Sequence, residues 1–414
     1  MKSSMMYGKV PLQVEIQQGR FLGEIKPVYK EKLLNPRLEI LHALREPIGT
    51  KPLVELAKNK KRVAIVISDM TRPVQSKILL PPLLEELHQA GITREQIKIL
   101  IALGIHRPLS SDEISVLVGE QIYLHYEVLN HDPNDTIHLG ITSKGTPLDI
   151  NRHFVEADLR ICTGNIDLHF FAGYAGGAKA VMPGLSTRKS ISNNHKMQLD
   201  ENSASGRMLG NPVREDIDEA GEIIGIDFIL NVVQSEEKEI ISICAGDFRL
   251  AHRTGCSIID EMYKIPITEK ADVVIASAGG YPKDVNLYQA QKALDNAYHA
   301  VKPGGTIFLL AQCPENYGEE IMHQWLTTAN GDSASVLERL QKEFVLGGHK
   351  AAAIARVAEK VHIVLLSQMD RNLSRLAFMN PVDSVEEGLK LCEMTPETSV
   401  WFMPYACYTL PREV

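Results

Sequence analysis

The feature that most constrains this chain is a repeated unit: a short apolar strand, a polar loop, then an amphipathic helix. The strand part of this unit occurs at residues 62–68, 97–102 and 159–163, and again at 273–278, 306–311 and 362–366. Alternation of strand and helix predicts an α/β fold with mainly parallel, doubly wound sheets. Because ligands of such sheets bind at the carboxyl ends of the strands, we expect the functional residues in the loops that follow them.

The chain is long enough for two domains. Its 414 residues exceed what one ordinary hydrophobic core supports, and the pattern breaks at Pro266-Ile267-Thr268. We predict an N-terminal α/β domain at 1–266, a C-terminal α/β domain at 270–400 and a tail at 401–414 that packs back on the body. The catalytic cleft is expected between the two domains.

An antiparallel hairpin is predicted at the N-terminus. Leu12, Val14 and Ile16 alternate with polar residues, and apolar residues resume at 21–22 after a Gln-Gly-Arg turn.

Charge and cysteine usage exclude some classes of function. The formal net charge of −8 disfavours nucleic acid or an anionic membrane as the main partner, so an anionic substrate would need positive charge concentrated locally. Six scattered cysteines without a CxxC pair are typical of buried thiols in a reducing compartment. With no signal-like start and no membrane-length apolar run, a cytoplasmic location is expected.

Two loops that follow strands carry candidate catalytic side chains. SDMTRP places Asp69, Thr71 and Arg72 after the first strand; an arginine fork matches a carboxylate or phosphate, although a capping turn would explain the same residues. GIHRP places His106 after the next strand. A lone histidine is more often structural, but His106 and His169, at two strand ends, could form an acid/base pair on opposite faces of a substrate.

The segment 167–195 gathers His169, Lys179 and His195 around the small-residue loop AGYAGGAK. A lysine amine can capture a cofactor covalently, and glycines allow close approach of the backbone. The spacing matches neither a P-loop, nor a dinucleotide fingerprint, nor the HExxH metal motif. The alternative is a flexible loop with a solvent-exposed lysine.

In the second domain, GGYPKDVNLYQAQK forms a turn that leads into a helix. Gln289 and Lys292 are three residues apart and share a face with Tyr288 nearby. They could close over an anionic substrate, or they could form an ordinary solvated helix face. The GGHKA run at 347–351 has no assigned role, and His131, His138 and His153 are interpreted as structural or exposed.

Taken together and in this order, these motifs resemble the nickel-pincer-nucleotide-dependent lactate racemase family over nearly the whole chain. The resemblance implies a nickel ion and a pyridinium-3-thioamide-5-thiocarboxylic acid mononucleotide, the nickel-pincer nucleotide. It implies that Lys179 forms the thioamide link that belongs to the nickel-holding pincer, and that His195 is a nickel ligand. It also implies that His106 and His169 are the acid/base pair.

The resemblance further assigns residues to the substrate and the cofactor. Asp69, Arg72, Gln289 and Lys292 would bind or orient the substrate. Tyr288 would lie next to the cofactor, and Thr71 is a candidate cofactor contact.

The implied activity is racemisation or epimerisation of a 2-hydroxy acid, either lactate or a related larger acid, by reversible hydride transfer to the bound cofactor. Hydride transfer avoids a carbanion next to the substrate carboxylate. The implied partners are the small-molecule 2-hydroxy acid and the cofactor-biosynthesis enzymes needed for maturation. Two alternatives remain open: a non-catalytic binding paralogue of the same fold, and a nickel-free Schiff-base enzyme that uses Lys179.

Overall fold

The computed structural model describes residues 1–72, 74–343, 345 and 347–414. It divides into two compact units, one formed by Tyr29–Asp260 and the other by Met1–Val28 together with Glu261–Val414. Each unit contains a six-stranded sheet flanked by helices, which confirms the predicted α/β class with mainly parallel sheets. The division differs from the predicted domains because the first 28 residues join the second unit.

In the unit Tyr29–Asp260, the sheet is parallel except for one edge strand. From edge to edge its strands are Ile240–Gly246, Phe228–Gln234, Leu159–Ile166, Val63–Ser68, Ile97–Ala102 and Glu127–Asn130. The central strands are buried on both faces, as continuous apolar runs in parallel sheets require. The loops after Ser68, Ala102 and Ile166 therefore leave the same edge of the sheet.

Helices and smaller elements surround this sheet. The helices are Pro36–Arg45, Leu53–Ala57, Ser76–Gln89, Ser111–Val118, Glu120–His125, Arg152–Val155, Arg188–Lys196, Pro212–Ile224 and Leu250–Tyr263. Two short ladders pair Thr136–Ile141 with Pro147–Asn151 and Leu168–His169 with Gly173–Tyr174. The helix Ser111–Val118 begins at a capping box formed by Ser110 and Glu113.

In the other unit, all six strands of the sheet run parallel. From edge to edge they are Asn380–Val382, His362–Leu366, Val301–Leu310, Ala271–Ser277, Ser399–Met403 and Arg20–Glu24. The helices are Leu287–Ala297, Glu320–Ala329, Ser333–Lys342, Gly348–Ala358, Arg371–Leu376 and Val385–Leu391. Lys264–Ile267 pairs in parallel with Leu410–Glu413.

Two predictions about the chain ends are corrected. The N-terminal hairpin pairs Lys2–Tyr7 with Val10–Glu15, whereas Arg20–Glu24 pairs in parallel with Ser399–Met403. The predicted hairpin was wrong because alternation identifies a strand without identifying its partner. The tail is not a separate segment, since its first residues belong to an internal strand of the sheet.

All six cysteines are buried free thiols, as the spacing predicted. No helix within the described ranges is long and apolar enough to cross a membrane.

Candidate functional site

The loops after the first two strands meet through a hydrogen bond between Asp69 and His106. Asp69 is buried, and its Oδ2 lies 2.5 Å from Nδ1 of His106. Its Oδ1 accepts from the backbone N–H and the hydroxyl of Thr71, at 3.0 and 2.6 Å. Burial acts to raise the pKa of Asp69, but the hydrogen bonds from His106 and Thr71 outweigh it and hold the pKa below its usual range. An ionised Asp69 must accept from Nδ1, which leaves Nε2 of neutral His106 unprotonated.

The SDMTRP loop is thus both a turn and part of the site. Thr71 donates to Asp69 within the loop, whereas the helix that follows begins at Ser76 without a side-chain cap, so the capping interpretation is wrong. Arg72 is exposed, and its N–H donates to the Asp69 carbonyl. Pro73, the last residue of this motif, lies outside the described residues. A cavity of about 500 Å³ opens beside His106 and is lined in part by Ile105 and Arg188.

His169 ends the short strand Leu168–His169. Its imidazole is held by the three residues that follow it in the sequence. Its Nδ1 accepts the N–H of Ala172 at 3.2 Å. The Phe170 ring stacks on the imidazole with centroids 5.3 Å apart, and Phe171 meets it edge-on at 4.6 Å. Because Nδ1 is an acceptor, neutral His169 carries its proton on Nε2, the opposite tautomer to His106.

Positive charge surrounds His169. Burial lowers its pKa well below the usual range, and the positive charge of Lys179 lowers it further. Smaller contributions of the same sign come from Arg72, His195 and Arg214. This is the local concentration of positive charge that an acidic protein needs for an anionic substrate.

Lys179 lies in the 3₁₀ helix Gly177–Ala180 and is half-buried. Among the residues that the structure describes, its ammonium group has no hydrogen-bond or ion-pair partner. Burial holds the pKa of Lys179 well below its usual range, and the charges of Arg72 and Arg214 add to the effect. The solvent-exposed alternative is therefore wrong, and a lowered pKa is the property that makes a lysine amine a candidate nucleophile.

His195 lies in the last turn of the helix Arg188–Lys196. Its Nδ1 is 3.0 Å from Oδ1 of Asn194. The Asn194 amide nitrogen donates to the buried Asp216 at 2.8 Å, which fixes the amide oxygen toward His195. Neutral His195 therefore carries its proton on Nδ1 and keeps an unprotonated Nε2, as a metal-binding histidine does. Within the described ranges, no three His, Cys, Asp or Glu side chains are grouped to hold a metal ion by themselves.

The Phe171 ring links the two histidines of this segment. It makes edge contacts with both His169 and His195, with centroid distances of 4.6 and 4.9 Å. His169 and His195 thus pack on the same ring, and the charge of Lys179 acts on His169; that the three form one site stays a prediction.

The loop 171–175 is held by side chains that the sequence analysis did not identify. Asn211 donates to the Phe171 carbonyl at 2.8 Å, and Arg214 donates to the carbonyls of Ala172 and Tyr174. His252 Nε2 lies 2.8 Å from the carbonyl of Ala175. No motif of the sequence pointed to these residues, because their acceptors are backbone carbonyls of a distant loop.

Two glycines of the loop are required by protein packing. Gly173 has φ +74°, and an added Cβ would lie 2.1 Å from the carbonyl oxygen of Arg207. Gly177 has φ +61°, and its Cβ would lie 3.0 Å from the ring of His252. The close approach expected of these glycines is thus to other parts of the chain.

Tyr288, Gln289 and Lys292 lie in the other unit, on the helix Leu287–Ala297, which Asn286 caps. Gln289 is exposed, and Tyr288 and Lys292 are half-buried. The Tyr288 ring contacts His349 at a centroid distance of 6.4 Å. His349 itself is buried, and burial lowers its pKa to about 3. The three residues therefore share one helix, as predicted, and their part in a common cleft stays a prediction.

The other histidines behave as predicted. His131 is buried with Nε2 3.1 Å from the Ser186 carbonyl, and His138 pairs with Asp149 near the surface.

The parallel sheets and the polar side chains at their carboxyl ends define an α/β enzyme with its site at one edge of the sheet. Residues 7–206 match the lactate racemase N-terminal domain, and residues 267–401 match the lactate racemase C-terminal domain. The chain therefore belongs to the lactate racemase family and is an isomerase of the racemase type.

Individual relatives agree with this assignment. A lactate racemase of Thermoanaerobacterium thermosaccharolyticum is 33% identical over 399 residues, which cover 94% of this chain and 93% of that protein. A lactate racemase of Lactiplantibacillus plantarum is 32% identical over 398 residues, covering 93% of each chain.

Solved structures agree as well. The lactate racemase apoprotein from T. thermosaccharolyticum superimposes with a TM-score of 0.90 at 30% identity, covering all of both chains. A Thermotoga maritima protein shares the fold with a TM-score of 0.64 at 19% identity, covering 94% of this chain and all of that one.

Proposed function

We propose that this protein racemises lactate or a related larger 2-hydroxy acid, with His106 and His169 as its acid/base pair and a nickel-pincer nucleotide bound covalently to Lys179. The observation that carries the proposal is Lys179: a half-buried amine with no acidic partner in the described part of the chain, beside two arginines. Burial lowers the pKa of this amine, which favours its use as a nucleophile, and its position gives it no ion pair to form within the described residues.

The residues around Lys179 fit such a cofactor. Lys179 would hold the nucleotide, and Nε2 of His195 would supply one imidazole ligand to nickel, with the sulfur donors on the nucleotide. Sulfur and imidazole are ligands that suit a square-planar Ni²⁺ site. His195 is hydrogen-bonded to Asn194, and Asn194 is hydrogen-bonded to Asp216. Metal-binding histidines are commonly oriented by such hydrogen bonds to their second ring nitrogen. When bound, the group would supply reversible acceptance of hydride from the carbon that bears the hydroxyl.

The protein's own residues would bind the substrate and move its proton. Arg72 would pair with the carboxylate, and Lys292 and Gln289 would contribute from the second unit. His106 would accept the hydroxyl proton at Nε2, while the Asp69 carboxylate stabilises the positive charge that the ring acquires. His169 would return a proton from Nε2 when the 2-oxo acid is reduced on its other face.

The resting tautomers of the two histidines suit these roles. His106 offers an unprotonated nitrogen and His169 offers an N–H, as their Nδ1 partners dictate. In one direction of the reaction, a bound 2-hydroxy acid would therefore have His106 as the base on one side and His169 as the proton donor on the other. The forward turnover leaves the proton on Nε2 of His106 and removes the proton from Nε2 of His169. The reverse direction would start from that state, with His169 as the base and His106 as the proton donor.

Coexpression with cofactor-biosynthesis enzymes tests the cofactor assignment. We expect an adduct on Lys179 by intact and peptide mass analysis, and stoichiometric nickel by elemental analysis. Lys179→Met should lose both, whereas Lys189→Met, which changes an exposed lysine nearby, should keep both. Absence of adduct and nickel in the wild type, while a lactate racemase loads in the same strain, would refute the proposal.

The reaction is tested with lactate and a panel of larger 2-hydroxy acids deuterated at C2. Inversion of configuration with deuterium retained at C2 is expected, because a group that accepts the hydrogen as hydride would not exchange it with solvent. Exchange of C2 deuterium for solvent hydrogen would instead indicate proton abstraction and refute the hydride mechanism. An adduct without nickel and without inversion would favour the Schiff-base alternative.

The substrate role of Arg72 has its own test. Arg72→Lys keeps the charge and loses the bidentate fork, so we expect the KM to rise about tenfold, as loss of one charge-assisted bond of about 1.5 kcal/mol implies. An unchanged KM would remove Arg72 from the carboxylate site.

A further inference from the structure

A buried arginine lies directly behind the loop that carries His169. Arg214, in the first turn of the helix Pro212–Ile224, has no exposed surface. Its Nε donates to the carbonyl of Ala172 at 3.3 Å, and a terminal nitrogen donates to the carbonyl of Tyr174. The other terminal nitrogen lies 3.3 Å from Oδ1 of Asp218 on the same helix. One planar guanidinium thus connects this helix to the loop 172–174.

Further buried groups hold Arg214 in place. Asp218 also pairs with Arg253, whose guanidinium lies 2.7 Å from Nδ1 of His252. His252 in turn bonds to the Ala175 carbonyl. A buried ion pair is weak support for stability, because the charges lose their hydration and similarly sized apolar side chains serve as well. The directional bonds to the loop are a better reason for an arginine here.

Ala172 connects this network to the site through two successive peptides. The Phe171–Ala172 peptide, whose carbonyl accepts from Asn211, carries the N–H that donates to Nδ1 of His169. The Ala172 carbonyl belongs to the next peptide and accepts from Arg214. The direction of that N–H determines that Nδ1 is an acceptor, so it determines which nitrogen of neutral His169 carries the proton. The position of Ala172 therefore controls the chemistry that His169 can perform.

We propose that Arg214 is a positioning residue for the reaction: by holding the carbonyls of Ala172 and Tyr174 it fixes the position of Ala172, so that the N–H of Ala172 points at Nδ1 of His169 and His169 presents a protonated Nε2 to the substrate. The inference rests on the proposed function for the role of His169 in the reaction. The proposed effect of Arg214 on the tautomer of His169 does not depend on the cofactor, so it can be tested on the cofactor-free protein. Lysine cannot replace arginine here, since an ammonium lacks the planar fork that reaches two carbonyls and a carboxylate together.

The first test reads the His169 tautomer directly. The full-length, cofactor-free protein is labelled with ¹⁵N-histidine, and the long-range ¹H–¹⁵N spectrum distinguishes protonated from unprotonated ring nitrogens. The His169 signals are those that disappear in His169→Gln, among the 14 histidines of the chain. We expect the Nε2–H tautomer in the wild type and a mixture of tautomers in Arg214→Lys. A wild-type His169 with its proton on Nδ1 overturns the proposal.

The second test compares loaded enzymes in the racemisation assay. In Arg214→Lys the kcat should fall between about 10- and 100-fold, the range expected when a reacting group is slightly misplaced. The KM should stay within about twofold of wild type, because no substrate-binding side chain changes. Adduct and nickel content are measured on the same samples, and each rate is divided by the fraction of loaded enzyme, so that differences in loading do not affect the comparison.

Arg160 provides a matched control. Its guanidinium also donates to backbone carbonyls, those of Phe154, Val155 and Gly225. It lies near the amino end of the strand Leu159–Ile166, about 20 Å of extended chain from the end that leads to His169. Arg160→Lys should lower the unfolding temperature and leave both the kcat and the His169 tautomer unchanged.

The outcomes separate this proposal from the proposed function. If the loaded wild type inverts no 2-hydroxy acid, the proposed function fails and the spectrum still decides the role of Arg214. If Arg214→Lys keeps the wild-type tautomer and kcat, Arg214 does not position His169. Arg214→Met, which removes every donor, should disturb the tautomer further. Failure of both Arg214 variants to fold would assign Arg214 to stability alone and overturn the proposal.

Discussion

The Asp69–His106 pair offers the sharpest test of the acid/base assignment. Asp69→Asn keeps the size of the side chain and removes its charge. The asparagine oxygen can still accept from Thr71, which turns its amide nitrogen toward Nδ1 of His106. Nδ1 then becomes an acceptor and the ring proton moves to Nε2, so His106 can no longer take a proton from the substrate hydroxyl.

The size of the effect follows from the geometry. Two unit charges about 4 Å apart interact by about 4 kcal/mol at an effective dielectric of about 20. Asp69 is buried, but the His106 side chain is 31% exposed, so solvent screening reduces this value. Charge-assisted hydrogen bonds contribute about 1.5–3 kcal/mol. We take about 2–3 kcal/mol, which corresponds to a loss of roughly 30- to 150-fold in kcat/KM.

The assay is racemisation from each enantiomer with enzyme of measured nickel content. Because the enantiomers of a simple 2-hydroxy acid have equal free energies, kcat/KM must fall by the same factor in both directions, which checks the data internally. Asp149→Asn is the matched control, since Asp149 pairs with His138 at 2.7 Å on the surface. It should leave kcat/KM unchanged. A loss of less than about threefold for Asp69→Asn at full loading would contradict the role of the pair.

Three further predictions concern the metal site, the loop and pH. Asn194→Ala should weaken nickel retention about 10- to 100-fold, the usual effect of losing support for a metal-binding histidine; unchanged nickel content after dialysis against chelator would contradict it. Gly173→Ala should lower the free energy of unfolding more than Gly210→Ala, because both glycines have positive φ but only the Gly173 site has a carbonyl 2.1 Å from the new Cβ; equal losses in denaturant titrations would argue against that clash. Burial lowers the pKa of His252 to about 3, so between about pH 6.5 and 3 the unfolded chain binds the extra proton and stability falls on acidification by up to about 1.4 kcal/mol per pH unit; His252→Gln should flatten this slope relative to wild type.

Local patterns predicted much of the fold and of the site. The strands Val63–Ser68 and Ile97–Ala102 follow from apolar runs, which depend on neighbouring residues only. The same logic placed Asp69, His106 and His169 after strand ends, and the topology then brings those ends to one edge of the sheet. The roles of these residues came from the family resemblance, because hydrophobic periodicity carries no information about what a side chain does chemically.

Partner choice between distant segments was not predictable in this way. The N-terminal hairpin was assigned to the wrong strands because period-two alternation does not encode a partner. The first 28 residues join the second unit for the same reason: the partner of Arg20–Glu24 lies more than 370 positions further along the chain. Arg214 was missed because a buried arginine on an amphipathic helix looks like any other polar residue until its acceptors are known.

The sequence by itself therefore determined the α/β class, the order of the elements and the loops that carry the reactive side chains, because these depend on contacts within a few residues. Only the tertiary structure decided the tautomers of the histidines and the electrostatic environment of the reactive side chains. Asp69, 37 positions away, determines the tautomer of His106. Arg214, 40 or more positions away, binds the loop behind His169 and adds to the positive charge of the site. A hydrogen bond depends on distance and direction in space, and the folded chain alone brings these atoms together.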